Sequence, residues 1–306
     1  MLRRRFVQVD VFTDTPLCGN PLAVVLDGGG LTGEQMQAIA REMNLSETTF
    51  LLSPTAPPAQ ARVRIFTPQI ELPFAGHPVV GTGYVLATEG LIPCHQENCT
   101  IQVELGVGVL PVDIVYSGGT VTRTIMTQRP PEFLSQLPTD DVGLLARGLG
   151  IKVEDTLASG LPVQLVSTGL PQLMVPVHSL SSLRGISLEL GLLHTLCERY
   201  ETHSIYVFTR ETITRSAHVH TRLFAPLAGV LEDPATGSAS GALGAYLVHH
   251  RVFGGDDEVV YLENEQGYEM GRPSRIDIEV SRQGAAVSRV RVGGAVVKVM
   301  DGTIYV

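Results

Sequence analysis

The first half of the chain combines short apolar segments with periodic ones, which predicts strands connected by helices. Strands are predicted near residues 6–13, 22–26, 48–52 and 61–66. Between the second and third strands, apolar residues recur at helical spacing up to about Asn44, behind a Thr32–Gln35 pair typical of a capping box. A second helix, at residues 79–89, is apolar on most faces, so we expect it to be buried.

The second half loosely repeats this order of elements. Helices are predicted at residues 142–149 and within 181–200, strands at 161–166, 173–177, 204–209 and 217–224, and a small-residue helix at 239–250. Residues 259–306 then alternate like strands. Because strand, helix, strand and buried helix occur twice, we expect two related α+β lobes, each with a sheet wrapped around one central helix.

Composition narrows the choice of partners. The 306-residue chain is acidic, with 22 Lys and Arg against 31 Asp and Glu, and it contains no Trp, which argues against nucleic acid as a partner. No apolar run reaches the ~18 residues that a membrane-spanning helix needs. A mean hydropathy of +0.18 fits a thick core, an oligomer interface or both. The four cysteines form no C-x-x-C pair and no disulfide framework, which favours a reducing cytoplasm.

One carboxylate is flanked by apolar residues in a strand-like segment. Glu47 lies between Leu45 and the Leu51–Leu52 pair. Apolar surroundings raise the pKa of a carboxylic acid, and such a group can take up and return a proton near neutral pH. The alternative is that Glu47 is an ordinary strand residue that faces water.

Two further segments combine glycine and polar side chains with the start of a predicted buried helix. They are residues 74–78, with Gly76 and His77, and residues 232–239. A helix N-terminus presents N–H groups and the positive end of the helix dipole, which suits a ligand carboxylate. Because the two segments hold equivalent places in the two lobes, we expect them to bind one small anionic molecule. The alternatives are a glycine turn with a structural histidine in the first segment and an Asp or Thr N-cap in the second.

Other polar residues carry weaker signals. Asn20, in a Gly-Asn-Pro turn, could line the same site, although an Asx-turn is the simpler interpretation. His218 and His220 share a strand face as metal ligands do, but no third ligand is evident, so no metal site is predicted. Arg272 is either an ion-pair or a ligand-binding arginine.

Five motifs, at residues 18–21, 44–48, 66–78, 232–239 and 266–274, are spread over nearly the whole chain. Together they resemble the PhzF family of phenazine-biosynthesis isomerase-like proteins. The resemblance implies the α+β, diaminopimelate-epimerase-like fold, with two pseudo-symmetric lobes. It implies a first lobe at residues 1–126, completed by the last strand at about 296–306, and a second lobe at 127–295. Members of the family are usually dimers and need no metal or organic cofactor, so we expect a cytoplasmic homodimer.

The same resemblance implies roles for individual residues. Glu47 matches the glutamate that moves a proton between ring carbons of trans-2,3-dihydro-3-hydroxyanthranilate. Catalytic roles are also implied for His77 and Asp233, and substrate-binding roles for Asn20, Gly76, Thr236, Gly237 and Ser238.

The chain departs from related epimerases and racemases at both helix starts. Those enzymes use two cysteines as opposing bases, whereas the comparable positions here carry Ala75 and Thr236. A two-thiol mechanism is therefore not expected, and one carboxylate that shuttles a proton is consistent with what remains. The leading hypothesis is an isomerase that acts on a small carboxylate-bearing substrate. The alternatives are a non-catalytic protein that binds small carboxylates on the same scaffold, and a structural interaction protein.

Overall fold

Two compact units make up the protein, shown here as a computed structural model that describes residues 2–94, 97–284 and 286–306. The first unit comprises the chain up to Thr127 together with Gly293–Val306, and the second comprises Gln128–Val292. The chain thus leaves the first unit after Thr127 and returns to it at Gly293.

The first unit is built around a buried helix. Its strands are β1 (Arg3–Val11), β2 (Asn20–Val25), β3 (Glu47–Leu52), β4 (Ala61–Phe66), β5 (Glu71–Leu72), β6 (Cys99–Leu105), β7 (Gly108–Ser117), β8 (Thr120–Thr127) and β18 (Val296–Tyr305). Its helices are α1 (Gly33–Met43) and α2 (Gly76–Thr88). Helix α2 packs against β1, β2, β3, β7, β8 and β18, and β18 pairs with β1 in antiparallel orientation. Ten of the residues of α2 are buried, as its apolar sequence predicts.

Helix α1 shows the predicted start signal. The Thr32 hydroxyl accepts a hydrogen bond from Gln35 N at 3.2 Å, and Gln35 Oε1 accepts one from Thr32 N at 2.9 Å. This capping box satisfies two N–H groups that the helix itself leaves without partners. The helix ends at Asn44, which adopts a left-handed conformation with φ 51°.

The second unit is also built around a buried helix. Its strands are β9 (Glu132–Gln136), β10 (Gln164–Ser167), β11 (Pro171–Pro176), β12 (Ser204–Thr209), β13 (Val219–Ala225), β14 (Val230–Asp233), β15 (Val259–Gln266), β16 (Ser274–Gln283) and β17 (Ala286–Gly294). Its helices are α3 (Thr139–Leu149), α4 (Val153–Leu157), α5 (Leu180–Arg184), α6 (Leu190–Arg199) and α7 (Gly237–His249). Helix α7 packs against β10, β11, β15 and β16, and α3 and α6 contribute buried residues to a separate apolar cluster.

Strand pairing repeats from one unit to the other, as the repeated order in the sequence predicts. In the first unit, β1–β2 is antiparallel, β2–β3 parallel, β3–β4 antiparallel and β4–β6 parallel. In the second, β10–β11 is antiparallel, β11–β12 parallel, β12–β13 antiparallel and β13–β15 parallel. A short strand, β5 or β14, comes before the central helix in each. The expected α+β fold, a sheet around a central helix occurring twice, is therefore confirmed.

Several elements differ from the prediction. The strands β6 to β9 were not predicted, and the helix expected within residues 181–200 is two helices, α5 and α6, separated at residues 185–189. The interpretation of the cysteines is wrong for one pair, because Cys94 and Cys99 form a disulfide with Cα atoms 6.3 Å apart. Their separation of five residues falls outside the C-x-x-C pattern. In the described part of the chain, no helix is long and apolar enough to cross a membrane.

Candidate active site

The first candidate group is a carboxylate next to a histidine in the first unit. Glu47 is the first residue of β3, and His77 is the second residue of α2. The distance from Glu47 Oε2 to His77 Nε2 is 3.2 Å, and the two side chains are 16% and 6% exposed. A hydroxyl contact of 3.0 Å between Thr49 and Thr82 joins the same strand to the same helix. The fold thus brings together two residues that the sequence places 30 positions apart.

The protonation state of His77 follows from its burial. Burial lowers the pKa of His77 to about 3, because the imidazolium form loses its hydration inside the protein. The ring is therefore neutral at physiological pH. The 3.2 Å contact does not have hydrogen-bond geometry as it stands. A small reorientation would let the neutral imidazole share one proton with Glu47, either by donating its own N–H or by accepting the proton of the carboxylic acid.

Asn20 lies on the strand next to Glu47. It begins β2, is fully buried and pairs with Val11 of β1. Strand β2 runs parallel to β3, with Leu22 opposite Glu47. Just before Asn20, the chain is held by Asp10, whose Oδ2 accepts a hydrogen bond from Leu17 N at 2.7 Å. Asn20 therefore lies two residues before Leu22, the residue of β2 that pairs with Glu47.

The second candidate group lies at the start of α7 in the second unit. Asp233 ends β14, Thr236 is the N-cap of α7, and Gly237 and Ser238 are the first two residues of the helix. The Thr236 hydroxyl donates a hydrogen bond to Asp233 Oδ2. The first N–H groups of a helix have no partner within the helix, so Gly237 and Ser238 present the chemistry expected of a carboxylate site. Ala75, the N-cap of α2, holds the matching place in the first unit, as the sequence predicts.

A buried polar network under α7 was missed by sequence reasoning. Gln266, the last residue of β15, donates from Nε2 to Asp233 O at 2.7 Å and to Thr236 Oγ1 at 3.1 Å. Its Oε1 accepts from Thr236 N at 3.1 Å and from Tyr206 Oη at 3.0 Å. The network continues through contacts of Tyr206 with Ser240, Thr221 and Asn264. The available signal was the motif at 266–274, which contains Gln266, but no local pattern assigns this residue a partner.

His220 belongs to an ion-pair cluster. Its Nδ1 contacts Glu265 Oε1 at 2.7 Å, and its Nε2 contacts Glu269 Oε1 at 3.2 Å. Burial alone would lower the pKa of His220, but the hydrogen bonds to the two carboxylates outweigh it and raise the pKa. Among the described residues, no group of three or more His, Cys, Asp or Glu side chains is arranged to hold a metal ion. Because both ring nitrogens contact carboxylate oxygens, which accept hydrogen bonds, we interpret His220 as a charged structural residue.

Comparison with known proteins agrees with the fold and the motifs. A family model described as phenazine biosynthesis-like protein, PhzC-PhzF, matches residues 9–302. An uncharacterised isomerase of Mesorhizobium japonicum is 38% identical over 100% of both chains. The trans-2,3-dihydro-3-hydroxyanthranilate isomerase of Pseudomonas aeruginosa is 35% identical over 98% of this chain and 99% of its own.

Solved structures show the same likeness. A PhzF-family phenazine biosynthesis protein of Bacillus anthracis superimposes with a TM-score of 0.89, at 32% identity over 100% of both chains. A protein of Agrobacterium radiobacter described as a probable proline racemase shares the fold alone, with a TM-score of 0.64 at 14% identity over 99% of this chain and 92% of that chain. Fold and relatives together define an isomerase. The chain belongs to the PhzF family of phenazine biosynthesis-like proteins.

Proposed function

We propose that the chain is a cofactor-independent isomerase that moves a proton between two carbons of a small carboxylate-bearing substrate, with Glu47 as the carrier. The contact of Glu47 Oε2 with His77 Nε2 at 3.2 Å is the observation that supports this most directly. It is a carboxyl group in a mostly covered position, next to one neutral proton donor or acceptor. General acid–base catalysis requires a group of this kind.

The reaction conserves atoms and electrons without an added oxidant or reductant. As a carboxylate, Glu47 takes a proton from one substrate carbon, and the electron pair of the broken C–H bond enters the conjugated system of the substrate. The carboxylic acid then returns that proton to a second carbon of the same system, a double bond moves, and Glu47 is again a carboxylate. Because the Glu47 side chain is only 16% exposed, water has limited access to the proton between the two steps.

The neutral state of His77 matters for the strength of the base. A cationic ring at this distance would stabilise the Glu47 carboxylate and weaken it as a base. A neutral ring can still orient the carboxyl group by hydrogen bonding while Glu47 carries the substrate proton. Its low pKa, about 3, keeps the ring in this state over the physiological pH range.

The remaining groups in this proposal come from both units. Asp233 positions protons, and Ser238 donates or accepts a hydrogen bond with the substrate. The amides at Gly76 and Gly237 are substrate-binding groups, because helix starts stabilise anions. Asn20 and Thr236 complete the substrate-binding set. The Thr236–Asp233 hydrogen bond supports a carboxylate with a fixed orientation at this position.

The default substrate is trans-2,3-dihydro-3-hydroxyanthranilate. Relatives in Pseudomonas aeruginosa, P. chlororaphis and P. fluorescens carry the name of that isomerase at 34–35% identity over 98% of this chain. Other relatives with similar identity are named only as isomerases, without a substrate, so the proposal keeps the general class of small carboxylate-bearing substrates and takes this compound as its default.

A spectroscopic assay tests the proposal. Purified protein is mixed with trans-2,3-dihydro-3-hydroxyanthranilate and the diene absorbance is followed, with Glu47→Gln as the paired variant. We expect a change in wild type that is lost in Glu47→Gln while binding persists. Binding without a change in either protein would favour the alternative, a non-catalytic carboxylate-binding protein. No thermal stabilisation by this or other small carboxylates would favour the structural class, because a ligand of the native state stabilises it by mass action.

A homodimer is the expected assembly. The mean hydropathy of +0.18 fits an oligomer interface, and the family resemblance implies a dimer. Light scattering should give about twice the chain mass of 32.9 kDa. A monomer mass at micromolar concentration would contradict this part of the proposal.

A further inference from the structure

Gln266 is fully buried and its side chain ties together the two ends of the loop before α7. It donates to Asp233 O at 2.7 Å and accepts from Thr236 N at 3.1 Å. These two contacts fix the orientation of the amide, because a carbonyl needs a donor and an N–H needs an acceptor. The remaining Nε2 hydrogen then meets Thr236 Oγ1 at 3.1 Å.

The Thr236 hydroxyl is thereby oriented as well. A hydroxyl has one proton to donate, and Thr236 Oγ1 accepts from Gln266 while it donates to Asp233 Oδ2. The result is a directed series from the Gln266 amide through the Thr236 hydroxyl to the Asp233 carboxylate. Buried hydrogen-bond series of this kind act as units, and removal of one member affects the others.

The first unit provides an internal comparison for this series. Parallel pairing places Arg62 opposite Glu104 in β4–β6, and His220 opposite Glu265 in β13–β15. The next residue along is Leu105 in the first unit and Gln266 in the second.

The other two members of the series change at the same time. Helices α2 and α7 begin at Gly76 and Gly237. Counting back from these residues, Ala75 matches Thr236 and Leu72 matches Asp233. All three polar residues are thus apolar in the unit that lacks the aspartate.

We infer that Gln266 is a positioning residue, which holds the Asp233 carboxylate through the Thr236 hydroxyl and acts with Thr236 as one unit. This inference rests on the proposed function, in which Asp233 positions protons on the substrate. Gln266 itself lies behind the loop and acts only through Thr236 and the backbone of Asp233.

The test replaces Gln266 and Thr236 with the residues found at the matching positions of the first unit. Gln266→Leu, Thr236→Ala and the double variant are compared with wild type, and Leu105→Met, at the matching place in the first unit, is the control. With trans-2,3-dihydro-3-hydroxyanthranilate, we expect kcat to fall about tenfold in each single variant, with KM within about twofold in Gln266→Leu. The double variant should be no worse than the poorer single variant, because coupled residues are not additive. Thr236→Ser keeps the hydroxyl and should recover most of the kcat that Thr236→Ala loses.

A second readout does not depend on turnover. In protein labelled with carboxyl-¹³C aspartate, the Asp233 resonance, assigned by its loss in Asp233→Asn, should move in Gln266→Leu and in Thr236→Ala, and the double variant should match one of the singles. Wild-type kcat in a folded Gln266→Leu, or an unmoved Asp233 resonance, would overturn the inference, as would additive losses in the double variant. If wild type fails to turn over this substrate, the proposed substrate is rejected, and the resonance alone decides the role of Gln266. Thr236→Ala and Thr236→Ser decide the question if Gln266→Leu does not fold.

Discussion

The loops that lead into α2 and α7 have the same framework and different chemistry. Each passes from a short strand through a proline, Pro73 or Pro234, to a glycine that begins a buried helix. Each proline lies against a second glycine: a Cβ built on Gly106 would be 2.8 Å from Pro73 Cα, and one built on Gly267 would be 2.4 Å from Pro234 O. The shared residues therefore maintain a close backbone approach in both units.

An arginine pair is also repeated. Arg64 binds Glu71 through two hydrogen bonds of 2.6 Å, and Arg222 binds Glu232 through two of 2.8 and 2.9 Å. Each guanidinium lies 5.0 Å from the ring of the phenylalanine two residues later. Each pair holds the short strand before the central helix, β5 or β14, in place, whether or not a candidate catalytic residue is nearby.

The residues that differ are the ones with chemical roles in the proposal. Where the framework is the same, the first unit has Glu47, Leu72, Ala75, His77 and Leu105, and the second has Ser204, Asp233, Thr236, Ser238 and Gln266. Positions that carry the same residue in both units therefore maintain the fold. Positions that differ carry the candidate base and its histidine in the first unit, and the Gln266–Thr236–Asp233 series in the second.

The turns that follow β6 in the first unit and β15 in the second differ in length. In the first unit, Leu105 pairs with Gly108 across a tight turn, and a cavity of about 450 Å³ lined by Arg62, Arg64, Glu104 and neighbours lies beside it. In the second, Gln266 pairs with Ser274, and the longer loop brings Glu269 to His220. The extra residues supply the second carboxylate that keeps His220 charged.

The largest expected effect is on the rate of isomerisation, and it should distinguish the first residue of β3 from the first residue of β12. Glu47→Gln should lower the rate of isomerisation by about 10²–10⁴-fold, because it removes the proton carrier. Ser204→Ala, at the first position of the corresponding strand β12, should leave the rate within about twofold. Steady-state kinetics on both variants measures the contrast. Similar rates in the two variants would remove Glu47 from the mechanism.

The arginine pairs should differ in stability because their burial differs. Arg222→Met should cost about 3 kcal/mol of unfolding free energy, since it leaves Glu232 partly buried without its cation. Arg64→Met should cost under about 1 kcal/mol, because its pair is 26% and 42% exposed. Urea denaturation provides both numbers. Equal losses of unfolding free energy in the two variants would mean that burial does not determine how much these pairs stabilise the protein.

The two glycines should also respond unequally. Gly267→Ala should cost about 2 kcal/mol or more, because φ is 82° and the new Cβ meets Pro234 O and Arg272 O at 2.4 Å. Gly106→Ala meets Pro73 at 2.8 Å without a left-handed backbone and should cost about half as much. Gly271→Ala, at φ 69° with open space around it, isolates the backbone contribution. A cost for Gly267→Ala no greater than for Gly271→Ala would show that the loop simply moves.

The two buried histidines should give a pair of opposite pH dependences. The pKa of His77 is about 3 when folded, so below about pH 6.5 the unfolded chain binds a proton that the folded one does not. Stability should therefore fall with falling pH in this window, by up to ~1.4 kcal/mol per pH unit, and His77→Gln should remove that slope.

His220 should show the reverse. Its raised pKa gives a contribution that is complete below about pH 6.5 and is lost as pH rises through the folded value, and His220→Gln should flatten that basic limb. Denaturation from pH 4 to 9 measures both slopes. Slopes of the same sign would contradict the assignment of one neutral and one charged buried histidine.

Local sequence signals predicted the elements that local physics controls. The capping box of α1 and the apolar, small-residue helices α2 and α7 followed from side-chain periodicity and residue size. Strand β7 was missed, and it contains Pro111, which cannot donate to a strand partner and so counts against a strand. The site residues were found by motif, whereas the Gln266 contacts join residues 30 and 60 positions apart. Only the fold specifies such contacts.

The central claim, that one half-buried carboxylate carries the proton from carbon to carbon, is tested most directly by isotope transfer. Protiated trans-2,3-dihydro-3-hydroxyanthranilate is converted in D₂O, and product from the first time points is analysed by mass spectrometry, with product incubated without enzyme as the control. The account predicts less than one solvent deuterium per product molecule, and about 10²-fold or more less product from Glu47→Gln over the same time. One full deuterium per product, formed at the same rate by Glu47→Gln, would contradict it.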